Sequence, residues 1–314
     1  MDKKAFMQMS FAWIFALLVG AFILFLAIFA SIKLTSTEGL EQSAIASKGI
    51  GVLLNPLETG FEEGQTNLLK LDTETRIYAR CSEEDEFGKQ LIQTFHENFG
   101  KWSEAEINVS FRNKYIFAEQ PIQGRNFLLF SKPFEFPFKV TDLIYIIPLE
   151  KEYCFVGAPP RINQEISDLK IPNIYNKTTS GKCPPESTKV CFAGTSGCEI
   201  KVNDDAKTVN KGSGNVNHTN YEGDALMYAS IFSDKATYEC QLQRLMKRVE
   251  SLALLYNEKS IFISQQGCSN NLDLFGLASM ANSTTSSADL RLRISDLVEI
   301  IKKSNERNSY CRLW

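Results

Sequence analysis

The stretch FAWIFALLVGAFILFLAIFA, residues 11–30, carries no charged side chain from Phe11 to Ala30. A helix rises ~1.5 Å per residue, so a run of this length spans the ~30 Å of a hydrocarbon core. Secretory leaders have a shorter apolar region and a small-residue cleavage site, and Ala30-Ser31-Ile32-Lys33 matches such a site poorly. A helix buried in a soluble core can also be apolar all round. An unbroken run at the start of the chain favours lipid over both, and 11–32 is assigned as a transmembrane helix.

Its flanks set the orientation. Lys3 and Lys4 precede the span and Lys33 is the one base just after it. The positive-inside rule then keeps residues 1–10 in the cytoplasm and sends the rest of the chain outside. The expected partners are the lipid bilayer and other membrane proteins, or further copies of the chain. With a net charge of −3 and a pI of about 5.7, nucleic acid is not an expected partner.

All eight cysteines lie beyond the span: Cys81, Cys154, Cys183, Cys191, Cys198, Cys240, Cys268 and Cys311. An even count in an external domain points to disulfides, whose pairing spacing alone does not give. Buried thiols and zinc ligation are the alternatives. Zinc is disfavoured by the lack of any C-x-x-C and by a histidine count of two, His96 and His218. Asn108, Asn176, Asn217 and Asn282 each head an N-x-S/T glycosylation triplet.

The first residues, MDKKAFMQMS, add a likeness. Lys3-Lys4-Ala5-Phe6-Met7, running into the apolar helix, resembles the processing site of archaeal type IV pilin-like (class III signal) proteins. The resemblance covers about the first 30 residues. It implies cleavage between Ala5 and Phe6, with Lys4 as the preceding base and the helix kept on the mature chain. The acid common at the fifth mature position of such proteins is replaced by Ser10, which argues against filament formation. A plain anchor flanked by lysines is the competing reading.

Residues 33–56 read as a stalk or a helical extension ending before Pro56. Residues 57–314 read as an external α+β region of one domain or two, with 173–220 a candidate insertion or subdomain. Within it, 67–81 alternates as a strand. Ser82 heads a predicted helix with Phe87, Leu91, Phe95 and Phe99 at every fourth position and His96 half exposed beside them. Strands are expected across 106–120 and 126–149, with Pro137 demoting Phe134-Phe138 to an edge or bulge. Pro159-Pro160 opens a short helix bearing Ile162, Ile166 and Leu169. Thr188–Phe192 and Cys198–Val202 read as arms of a hairpin, and the three cysteines at 183, 191 and 198 require at least one outside partner, Cys154 or Cys240. Asp224–Phe232 and Ser260–Ser264 read as strands. Ser233 is expected to cap an amphipathic helix whose Gln241, Arg244, Lys247 and Arg248 form a solvated face. A final helix carries Leu290, Ile294, Leu297, Val298 and Ile301, and Cys311 is a staple for the tail.

No arrangement of residues names a nucleotide, a metal or a cofactor, and no catalytic residue is assigned. Three functions remain: an anchored structural or interaction protein, pilin-like or part of a secretion assembly; a surface hydrolase; and a receptor-like module using Phe134, Phe136 and Phe138. The first accounts for the most residues.

Overall fold

The computed structural model describes residues 13–31, 33, 66–83, 87–98, 101–102, 107–177, 182–192, 197–212 and 217–314. The processing site and the stalk lie outside these residues. Trp13–Ser31 is one helix, α1, with a mean hydropathy of 2.8 and every side chain exposed. By length and composition it is long and apolar enough to cross a membrane.

The remaining elements form mixed sheets and helices around one main core. Sheet one runs in the order β3(Lys101–Trp102), β2(Lys89–Asn98), β1(Thr66–Ser82), β6(Ile122–Glu135), β7(Lys139–Pro148), β5(Ile116–Phe117), with β4(Ile107–Phe111) also pairing β2. Its central strands are buried on both faces. Leu128, Phe130, Tyr145 and Ile147 enter the main core, while the alternating Phe127, Leu129, Ile144 and Ile146 fill a smaller cluster opposite. That is why β6 and β7 read as dense apolar runs. Pro137 sits at the corner between them. Sheet two runs β13(His218–Asn220), β12(Thr208–Lys211), β11(Ile200–Asn203), β10(Thr188–Cys191), β8(Tyr153–Val156), β9(Ile174–Asn176). Residues 173–220 therefore supply most of this sheet.

The helices are α2(Pro160–Leu169), α3(Gly223–Phe232), α4(Lys235–Ser264), α5(Leu274–Asn282), a short α6(Ser287–Asp289), a π turn (Leu290–Ile294) and α7(Ser295–Arg307). Every residue of α3 from Ala225 to Phe232 is buried. It lies against β6 and β7 on one side and β12 on the other. Asp234 caps α4, accepting from the Thr237 amide at 2.8 Å.

Several expectations are corrected. The predicted helix after Ser82 is β2, whose Gln90, Ile92, Thr94 and His96 are buried in alternation and which pairs antiparallel with β1 from Ser82↔Lys89 to Thr75↔His96. Residues 224–232 are helical, and 260–264 continue α4. The expected hairpin is instead two parallel strands, Val190 facing Ile200. The cap of α4 is Asp234 and not Ser233, whose hydroxyl donates back to Ala229 O.

Candidate functional site

Four disulfides hold the domain together. Cys81–Cys240 ties the end of β1 to α4 across 159 residues, and Cys154–Cys183 ties β8 to the segment before β10. Cys191–Cys198 closes the short crossover from β10 to β11, and Cys268–Cys311 fastens the C-terminal tail to the loop after α4. The tail is held again by Lys259 Nζ on Leu313 O and by Leu313 N on Asn305 Oδ1.

Two members of the presumed solvated face of α4, Gln241 and Arg244, turn inward, whereas Lys247 and Arg248 stay partly exposed. Arg244 is wholly buried. Its guanidinium donates to the carbonyls of Phe87, Arg112 and Lys114 at 3.0 Å each and to Gln241 Oε1 at 2.7 Å. It also lies 4.6 Å from the Tyr115 ring centroid. Gln241, equally buried, donates to Gln90 Oε1 and to Ile116 O. This polar set fastens α4 to sheet one and satisfies carbonyls that no ladder reaches.

A cleft of about 420 Å³ opens where the two sheets meet. The turn from β7 to β8 supplies Glu150, Lys151 and Glu152, the segment after β5 supplies Glu119, and Glu186 precedes β10. Lys151 and Glu119 form an ion pair. Lys211, at the end of β12, donates to Ser233 O at 2.7 Å and lies 3.4 Å from Glu119 Oε1. Burial pushes the Glu119 carboxyl up, but the ammonium groups of Lys211 and Lys151 outweigh it and hold the group below the usual carboxylate range. Burial lowers the Lys211 ammonium, which Glu119 partly offsets. At the floor, Tyr153 packs edge-on to Phe232 at 5.1 Å. Burial, and then the Glu119 charge, push its phenol well above its ordinary value, so the hydroxyl keeps its proton. Glu152 accepts from Tyr175 Oη at 3.1 Å.

A second cleft, about 380 Å³, lies beside α2. There Arg161 makes a fork to Asp204, at 2.8 Å for each bond, and reaches Asp224 Oδ1 at 3.0 Å. Hydrogen bonding from Arg161 is the main cause holding the Asp204 carboxyl well below its usual value. Glu165 is paired with Lys132 and accepts from Tyr228 Oη. The arrangement closes on itself and clamps α2 to the β11–β12 turn and α3.

His96 is buried within sheet one, its Nδ1 against Thr75 Oγ1 at 2.8 Å, whereas half exposure was expected. It turns inward because β2 buries its even-numbered positions. His218 lies in sheet two, so the two histidines are not brought together. Among the described residues no group of three or more His, Cys, Asp or Glu side chains is placed to hold a metal ion. Phe134, Phe136 and Phe138 are buried, with Phe138 against Tyr256 and Trp314. Asn217 and Asn282 are exposed; Asn176 is buried, its amide donating to Asn163 Oδ1 at 2.6 Å. The Asn108 side chain lies outside the described atoms.

Glu119, Lys151, Tyr153 and Lys211 were not singled out by sequence. They come from three separated segments, Lys151 and Tyr153 from the same turn into β8, and only the meeting of the two sheets gathers them. No family model, curated protein or solved structure matches the chain.

Proposed function

We propose that the protein is a single-pass, membrane-anchored surface protein with a structural or interaction role, displaying its disulfide-bonded α+β domain outside the cell. The observation that carries this reading is the position of the four bridges, all C-terminal to an apolar helix of membrane-spanning length. Disulfides persist in oxidising compartments and are rare in the cytosol. The lysines at 3 and 4 support an inside N-terminus. The pilin-like start supports membership of a pilus-like or secretion assembly, in which α1 stays on the mature subunit.

The test is mass spectrometry of membrane-extracted protein, non-reduced and with free thiols blocked. An N-terminus at Phe6 and eight unlabelled cysteines are expected. An intact start with oxidised cysteines retains the anchored domain and removes the pilin likeness. Eight labelled thiols overturn the external location.

A further inference from the structure

We propose that the cleft beneath the β7–β8 turn binds a protonated primary amine, free or carried on a lysine side chain. The inference goes beyond the anchored-surface reading and does not depend on which side of the membrane the domain occupies.

Charge supplies the first argument. Glu119 faces two ammonium groups, Lys151 and Lys211, and Glu152 accepts from Tyr175, so the carboxylates at 119, 150, 152 and 186 outnumber the cations around the cleft. Glu150 and Glu186 line the same cleft, are exposed, and have no ion pair or hydrogen bond among the described residues. The surplus in the cleft is therefore negative and unmet, which excludes an anion as the preferred ligand.

The second argument is independent of charge. Tyr153 is 2% exposed and lines the cleft, yet its hydroxyl has no hydrogen-bond partner among the described residues. The phenol oxygen is not one of the buried, unpartnered atoms of the fold, so it meets the water of the cleft, where an ammonium N–H can donate to it in place of a water molecule. The Tyr153 ring is 2% exposed, with Phe232 perpendicular to it at 5.1 Å and the Lys151 ammonium over its face at 5.4 Å, so little of it is open for a sugar to stack on. Pro121 and Pro148 give the walls an apolar surface suited to the methylenes of an alkylamine. The volume is in the range of small-ligand sites.

The experiment uses the full chain, all four bridges intact, in non-ionic detergent micelles. Calorimetric titrations compare 1,5-diaminopentane, N-acetyl-Gly-Lys-Gly-amide and the same peptide acetylated on its lysine. Saturable binding of at least one amine, and none of the acetylated peptide, is expected. The E150Q/E186Q variant should weaken binding by roughly tenfold or more, the loss of one good charged contact or better. Y153F should weaken it by a smaller factor, while non-reduced mass and unfolding midpoint confirm that both variants are folded. Tighter binding of the diamine identifies a free amine as the ligand, and tighter binding of the peptide a lysine side chain. Absence of saturation by either amine to about 10 mM overturns the proposal, since so weak a contact is below any specific site. Equal binding of the acetylated peptide, or unchanged binding by E150Q/E186Q, overturns it as well.

Discussion

Arg244 sits where helical periodicity places water, and its surroundings explain why. Residues 87, 112 and 114 bring three carbonyls to one point, and a planar fork of donors satisfies them together. Burial lowers the guanidinium from its ordinary value and the Tyr115 ring system opposes that shift, yet the group remains a cation at neutral pH. Replacement by methionine keeps the bulk and orphans the carbonyls. Arg244→Met should cost about 4 kcal/mol in urea unfolding, at roughly 1 kcal/mol for each of the four bonds lost. Asp204 gives a pH signature. Its folded carboxyl titrates below the unfolded one, so its stabilisation is complete above the unfolded value of about 4 and is lost as pH falls through the folded value. Asp204→Asn should therefore be less stable at neutral pH and show a flatter decline below about pH 4, as read from unfolding midpoints across an acid series.

At the level of elements, the physical signals that succeeded and failed are distinct. The strands between 107 and 148 and the Pro160 helix were legible, because alternation and proline act locally. The apolar residues at 87, 91 and 95 were misread because a spacing of four is also a multiple of two, and a strand satisfies it as well as a helix does. Pairing with β1 decided between them, and that partner is not visible in the segment itself. Helix α3 escaped detection for the opposite reason: enclosed between sheets, it has no polar face and hence no 3.6-residue period. The β10–β11 crossover was mistaken for a hairpin since Gly194 and Gly197 signal a turn, whereas the Cys191–Cys198 bridge closes a parallel connection. Bridges differ in what they restrain. By loop-closure entropy, removing Cys81–Cys240 as a double serine variant should cost ~5 kcal/mol and removing Cys191–Cys198 ~2 kcal/mol. Parallel guanidinium titrations of the two variants would show the order.

For the whole molecule, the α+β class and the helix of membrane-spanning length could be read from the chain, but the cleft could not. Glu119, the Lys151–Tyr153 pair and Lys211 lie far apart in sequence, and the juxtaposition of the two sheets creates their relation. The same juxtaposition makes one main core from both sheets and α3, to which residues 173–220 contribute Ile200, Val202 and Val209.

A chain pulled from its two ends is a spring, and its bridges decide how far it can stretch. Tension entering through β1 travels along a strand paired on both flanks and stops at Cys81. From there Cys240 takes the pull directly, and the 159 intervening steps of chain are short-circuited. Cys268–Cys311 removes a further 43. In optical-trap pulling from the ends, the oxidised protein should extend about 700 Å less than the reduced one, at ~3.5 Å per residue withheld. Under tension the chain inside these two bridges stays closed, and among the described residues beyond Cys81 it is 241–267, between the bridges, that can extend.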